Sequence, residues 1–253
     1  MNVRFKPVTF TQIRGAVREH LNSLPSAIDS FLEAHVLESS FYRVVLSNHE
    51  AGFVGVHKGN LITQFVLTSY KSLGQHVFRQ ARELEEVQAA FVPTCDEFFL
   101  SHAIDDYRQL IKQAYFFAAI SPLIKPPLEF SLRQAQKHDI PQIREGSGDF
   151  FGNLEDAVKN AQLFVTLSKN VAVGFGVLEK SQLFDRVASV GMFTLEEFRH
   201  KGVGTATLQL LQLECQRQNV QAVAGCWYYN HASKKTLERA GMFTQTRLLK
   251  IEF

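Results

Sequence analysis

The sequence predicts an α+β fold in two tandem copies, and three observations carry that prediction. Short apolar β-type runs alternate with stretches of helical period along the chain. The segment Ser121-Pro122-Leu123-Ile124-Lys125-Pro126-Pro127 breaks the alternation, because three prolines in six residues hold neither a helix nor a central strand. The pattern before the break then recurs after it. Val45 to Val56 resembles Thr166 to Val177, and Phe65-Val66-Leu67 with Tyr70, Lys71 and Gly74 lines up with Phe193-Thr194-Leu195 with Phe198, Arg199 and Gly202. We read a diverged duplication: a first domain over residues 1–120, a linker over 121–128 and a second domain over 129–253.

In the first half, residues 8–38 predict two helices, with Phe10, Ile13, Val17 and Leu21 on one face of the first and Ile28, Leu32 and Val36 on the second. Phe41 to Leu46 and Phe53 to Val56 predict a strand pair around the turn residues Ser47-Asn48-His49-Glu50. Leu61 to Leu67 predicts a strand, Gln75 to Glu86 a helix and Val87 to Val92 a strand stopped by Pro93. Ile104 to Ala114 predicts a helix and Tyr115 to Ile120 a strand.

After the linker, Phe130 to Leu132 predicts a strand. Asp139 is a candidate helix cap, with Pro141 in the first turn. A short helix from Leu154 is followed by strands at Leu163 to Leu167, Val171 to Leu178 and Val187 to Phe193. A helix from Val203 to about Asn219 and a strand from Val220 to Tyr228 come next. Ala232 to Ala240 predicts a helix closed by Gly241, and Thr244 to Phe253 a last strand.

Composition narrows the class. Hydrophobic residues make up 45% of the 253 and charged ones 21%, as in soluble globular proteins. A net charge of +2 gives no footprint for a nucleic-acid partner. Cys95, Cys215 and Cys226 are odd in number and lack metal-ligand spacing, so we expect reduced thiols, a cytoplasmic protein and no metal. The start has no apolar signal-peptide core, and the longest apolar stretch, Ala114 to Ile124, is too short to span a membrane.

The stretch with the most chemistry runs from Phe193 to Thr205. A β-type run leads into Arg199-His200-Lys201-Gly202-Val203-Gly204, and a helical pattern leaves it through Ala206, Leu210 and Leu213. Glycines admit positive φ and close approach of a ligand. A helix start offers unpaired N–H groups and a dipole that favours an anion. Together with the cations these features describe a phosphate cradle. It is not a nucleotide P-loop, since no Gly-Lys-Ser/Thr follows. It is not a dinucleotide fingerprint either, since the third glycine and the downstream acid are not in place. In the first half, His76 stands where the second has Gly204, and Asp96, Glu97, Asp105 and Asp106 stand where the second has Lys234 and Lys235. The first half is therefore expected to be a scaffold or substrate wall.

Residues 129–253 resemble the GNAT superfamily of acyl-CoA-dependent N-acyltransferases. Arg199 to Gly204 is similar to its Gln/Arg-x-x-Gly-x-Gly/Ala signature. Asn230-His231-Ala232-Ser233, continuing to Gly241-Met242-Phe243, is similar to its Asn-x-x-Ser pattern, with one extra residue before the aromatic. The resemblance implies a mixed, mostly antiparallel central sheet flanked by helices, here in tandem with a degenerate first copy. It implies acetyl-CoA, or another acyl-CoA, as cofactor. The N–H groups of Arg199, His200, Lys201, Gly202, Val203, Gly204 and Thr205 would hold its diphosphate. Main-chain groups of Met192, Phe193 and Thr194 would pair with the pantetheine arm, and Asn230 and Ser233 would lie beside it. Lys234 or Lys235 would reach a phosphate unless simply solvated.

The chain also departs from that pattern. Leu237 stands where many relatives have a Tyr general acid, and Gly225 where some have a Glu base. Tyr229, on the strand face of Trp227 and position 225, and Glu179, at a strand end, are the replacement candidates for proton transfer. Glu197, His231 and Cys226 are weaker ones. The expected function is transfer of acetyl from acetyl-CoA to a primary amine of a small molecule or peptide. The alternative is a CoA-binding regulatory or interaction protein without turnover. We expect no nucleic-acid or membrane partner and favour a monomer over a dimer.

Overall fold

The computed structural model describes residues 2–253. In chain order they form β1 (Val3–Val8), α1 (Phe10–Ser23), α2 (Ser30–Leu37), β2 (Ser40–Leu46), β3 (His49–His57), β4 (Asn60–Val66), α3 (Gly74–Arg82), β5 (Ala89–Pro93), α4 (Glu97–Ala103) and β6 (Gln109–Ala119). Then come β7 (Phe130–Gln134), α5 (Ile140–Ser147), α6 (Leu154–Lys159), β8 (Leu163–Ser168), β9 (Val171–Lys180), β10 (Val187–Thr194), α7 (Val203–Arg217), β11 (Gln221–Trp227), α8 (His231–Arg239) and β12 (Met242–Glu252). Contacts divide the chain into two units: Met1–Tyr115 with Thr246–Phe253, and Phe116–Gln245. The reading of 129–253 as one domain thus meets a difference, because the last eight residues belong to the first unit.

Unit 1 is a sheet in the order β1, β2, β3, β4, β5, β12. Its pairs are antiparallel except β4 with β5. The β2–β3 hairpin closes through Ser47 and Asn48, both with positive φ, the geometry whose twist matches paired strands. Val77, Phe78 and Ala81 of α3 and Phe99 and Ala103 of α4 pack on Val44, Leu46, Val54 and Val56. On the other face Phe10 of α1 stacks on Phe41 at 5.7 Å. β12 enters this sheet from the far end of the chain, with Leu248 opposite Pro93 and Glu252 opposite Ala89.

Three elements of this unit differ from the sequence reading. β1 has no counterpart in it, and its Pro7 is accommodated because β1 pairs with β2 at the sheet edge, where a missing donor is tolerated. The second helix starts at Ser30 rather than Leu24, because Asp29 caps it by accepting from Leu32 N–H at 3.0 Å. The helix expected over 104–114 is overturned. Asp96 caps α4 through Phe99 N–H, α4 stops at Ala103, and residues 109–119 form one strand. The apolar spacing near 3.6 there comes from a turn and the start of a strand read together.

Unit 2 carries the order β7, β8, β9, β10, β11, antiparallel up to β10 and parallel from β10 to β11. Its β8–β9 hairpin repeats the turn of unit 1, with Lys169 and Asn170 at positive φ. α7 lies tightly on one face because the strands under it carry glycines. A Cβ on Gly174 would stand 3.2 Å from Val203 Cγ1, and one on Gly176 would stand 2.9 Å from Leu211 Cδ1. Thr207 of α7 bonds Thr166 of β8 at 2.8 Å in the same buried layer. The opposite face packs Ile143 of α5 and Leu154 and Ala157 of α6 on Leu163, Val165 and Phe175. The three cysteines are buried and in no disulfide, and burial pushes the Cys95 and Cys215 thiols up to about 12. Among the described residues no helix is long and apolar enough to cross a membrane.

Asp139 ties the entry of α5 to β7. Its carboxylate takes both guanidinium nitrogens of Arg133 at 2.7 Å and the N–H of Gln136 at 2.7 Å. The Arg133 hydrogen bonds hold its pKa down at about 2, from 3.8. A depressed carboxylate contributes stability above its unfolded pKa and loses it as pH falls toward the folded one. Asp139→Asn is therefore expected to destabilise unit 2 by about 2 kcal/mol at pH 7. The gap to wild type should close as pH drops from about 4 to 2. Urea unfolding followed at Trp227, the single tryptophan, measures both.

Candidate functional site

The site grows out of a strand pair that stops pairing. β10 and β11 are in register only at Val187 with Gln221, Ala188 with Ala222 and Ser189 with Val223. Both strands continue, β10 to Thr194 and β11 to Trp227. The other edge of β10 stays paired with β9 as far as Thr194 opposite Gly174. Leu195 N–H bonds Val173 O at 3.2 Å, so by alternation Leu195, Phe193 and Gly191 spend their main-chain groups on β9. Val190, Met192 and Thr194 turn theirs toward the gap. The main-chain groups of Met192 and Thr194 thus face the opening. Phe193 does not, since it sits opposite Phe175 and offers the site its ring.

At the end of β10 the chain makes a 3-10 turn over Glu196–Phe198 and then opens α7. Gly202 caps α7 at φ +80, and a Cβ placed on it would meet nothing within 4 Å. It is glycine for its conformation and leaves open space in front. Gly204 has the other role. A Cβ there would meet Met192 Sδ at 2.9 Å and Thr194 Oγ1 at 3.2 Å, so its lack of a side chain lets α7 close onto β10. The first helical N–H to find a main-chain acceptor is that of Ala206, on Gly202 O at 3.0 Å. The N–H groups of Val203, Gly204 and Thr205 are left at the open end of the helix. Arg199 N–H is not among the free donors, because it bonds Glu196 O at 3.2 Å. The donor row therefore begins at His200, which is itself at positive φ.

The side chains around this turn are partly engaged. Lys201 Nζ is held by Glu197 O at 2.9 Å, and the Arg199 guanidinium lies 5.9 Å from the Phe193 ring centre. Asn230 caps α8, its Oδ1 taking Ser233 N–H at 3.0 Å, so the Asn-x-x-Ser pattern is a cap and leaves the Asn230 amide nitrogen for a ligand. Lys234 pairs with Glu238 at 3.7 Å.

Glu179 sits on β9 opposite Ser189, the last β10 residue still paired with β11. Gly174 and Gly176 face α7, so Glu179 lies on the opposite face with Phe193. Tyr229 lies beyond β11 in the turn before α8, so the strand alternation that aligned it with position 225 does not reach it. Its ring stands 5.2 Å from Trp227 and it is half exposed. Leu237 is buried core. The sequence marks the stretch from Asp149 to Asn160 as a wall of the acceptor pocket but gives Phe150 and Phe151 no role of their own, because it assigns most phenylalanines to the core. Their signal is two adjacent rings bracketed by Gly148 and Gly152, both at positive φ. The cleft of about 470 Å³ lined by Ile120, Leu123, Arg186, Gln212 and Asn219 lies at the far end of α7 and is not part of this site.

Comparison with known proteins gives the family. The family model described as "Acetyltransferase (GNAT) domain" matches residues 9–119, and "Acetyltransferase (GNAT) family" matches 128–242. The chain belongs to the GNAT acetyltransferase family. By class it is a GNAT-type N-acetyltransferase with two GNAT domains in tandem. Among solved structures, an acetyltransferase of the GNAT family from Colwellia psychrerythraea superposes with a TM-score of 0.88 at 15% identity, covering all of both chains. A GCN5-related N-acetyltransferase from Sphaerobacter thermophilus gives 0.67 at 13%, covering 99% of this chain and 95% of that one. A tandem GNAT protein from the clavulanic acid biosynthesis pathway gives 0.61 at 12%, covering 99% and 98%. At such identities these likenesses speak to fold. No curated protein matches the sequence.

The first GNAT domain has the same parting of strands with its openings filled. β4 and β5 pair only at Asn60 with Ala89 and Leu61 with Ala90. Beyond that point His20 of α1, packed on Phe65 at 5.2 Å, reaches Asp96 at the start of α4, Nε2 to Oδ2 at 3.1 Å, with both side chains buried. Gly74, the counterpart of Gly202, is helical at φ −54 and starts α3 directly. A Cβ on it would meet His102 Nε2 at 2.3 Å and Phe98 Cζ at 2.5 Å. His102 also bonds Gln75 Oε1 at 2.7 Å. The first turn of α3 is roofed by α4.

Two substitutions separate the glycine roles. Gly202→Ala is expected to cost about 1 kcal/mol through its positive φ. Gly204→Val is expected to cost about 1–3 kcal/mol by forcing α7 off Met192 and Thr194. Both are read by thermal unfolding of unit 2.

Proposed function

We propose that unit 2 transfers the acetyl group of acetyl-CoA to a primary amine of a small molecule or peptide. The observation that carries this reading is the strand parting after Ser189 and Val223, set beside the open start of α7. The first supports an extended arm added to the β10 edge, as a strand would be. The second supports a diphosphate on the N–H groups from His200 to Thr205, where the helix dipole adds its field. Asn230 offers its amide nitrogen beside the arm. The chemistry of the donors fits the group: main-chain amides for an extended amide-bearing chain, and a helix start for phosphates.

When bound, the thioester supplies an activated acyl carbon. The amine nitrogen bonds that carbon and the carbon–sulfur bond breaks. Glu179 takes the amine proton. It stands two residues along β9 from Val177, the partner of Gly191, about 7 Å of strand away. Tyr229 returns a proton to the departing thiolate.

Calorimetry is expected to find one acetyl-CoA per chain, since the first domain's openings are filled, and Gly204→Glu is expected to abolish binding. Thiol release against a panel of amines is expected in wild type. Glu179→Gln should lower kcat by about 10²-fold. A second reading, CoA binding without turnover, is favoured by Leu237 and Gly225, which remove the usual acid and base positions. Binding with no thiol release on any amine would decide for it.

A further inference from the structure

The amine-facing side of unit 2 exposes aromatic rings that its core does not use. Phe150 is 56% and Trp227 59% exposed. Gly148 and Gly152, at φ +55 and +64, carry the chain through the turn that holds Phe150 and Phe151. The Phe150 ring lies 4.8 Å from Phe151 and 5.6 Å from Phe193. Phe193 is on the sheet face away from α7. Carrying the β10–β11 register past its last pair sets Gly191 level with Gly225, and Phe193 level with Trp227, on that same face. The gap is therefore floored by two glycines, with Phe193 and Phe150 on one bank and Trp227 and Tyr229 on the other.

Charge adds a second constraint. Residues 144–159 carry four carboxylates, Glu145, Asp149, Glu155 and Asp156, against Arg144 and Lys159. Arg144 is spent on Glu155 at 2.7 Å. That segment is mildly acidic, and on the floor's own face Glu179 stands beside the gap, while the Arg199 guanidinium lies 5.9 Å from the Phe193 ring centre.

Resting on the transfer proposed above, we infer that the acceptor is a monoamine carried on an aromatic ring. Ring faces attract an ammonium and stack offset on another ring. Glu179 at the gap faces the ammonium, and the aromatic banks match a ring better than the alkyl stem of a polyamine or the hydroxyls of an aminosugar. A peptide lysine would leave the aromatic banks exposed beside a flexible alkyl chain.

The test is steady-state thiol release with saturating acetyl-CoA on 2-phenylethylamine, n-butylamine, spermidine and a lysine tetrapeptide. We expect kcat/KM for 2-phenylethylamine to exceed that for n-butylamine by about tenfold or more. Phe150→Ala and Trp227→Ala, both at exposed positions, are each expected to raise its KM about five- to tenfold while kcat stays within about twofold and acetyl-CoA affinity is unchanged. A preference for spermidine or the peptide, or a KM that neither variant moves, overturns the aromatic acceptor and leaves the transfer reading intact. Acetyl-CoA binding without turnover of any amine overturns the transfer reading, and this one with it.

Discussion

Main-chain N–H and C=O groups inside a sheet demand partners, and the second domain is built around a place where a ladder withdraws them. β11 leaves β10 after three register pairs, while β9 holds β10 straight on its other side. That asymmetry lets one edge stay both ordered and open. Everything nearby keeps the arrangement rigid. Gly174, Gly176 and Gly204 bring α7 down onto the sheet, and Thr166 and Thr207 lock the layer with a buried hydrogen bond. A preorganised open edge loses little conformational entropy when it is occupied.

The two domains show how the same topology takes opposite fates. In the first, the parting of β4 from β5 persists, yet a buried histidine and aspartate meet in it and α4 roofs the helix start. The duplicated hairpins retain the same left-handed turn residues, Ser47-Asn48 and Lys169-Asn170. Backbone architecture has outlasted the ligand-facing surface. A few side chains fill the parting and cover the helix start, while the strand order is kept by the core.

Much of this is legible in the residues. The proline break and the matching of Val45–Val56 to Thr166–Val177 point to duplication, and Gly202 with Gly204 marks the helix start. Two things are hidden for physical reasons. Glycine in a motif does not say which of its properties is used, and here Gly202 serves conformation while Gly204 serves packing. Alternation along a strand holds only while the strand lasts, so Tyr229 loses its expected face when β11 ends at Trp227. The helix expected over 104–114 fails in the same way, with a local period crossing an element boundary. Phe150 shows the converse: an aromatic residue is not core merely because most are.

The placement of Thr246–Phe253 in the first unit has a consequence for synthesis. Phe253 lies 5.5 Å from Phe78, and Arg82 covers its ring at 4.4 Å. β5 emerges from the ribosome well over a hundred residues before the strand that lies beside it. The N-terminal half therefore waits with an unpaired edge while the second half is translated. It has to be shielded from other chains until then, and severing the two halves at the proline segment would yield an incomplete first body rather than two independent ones.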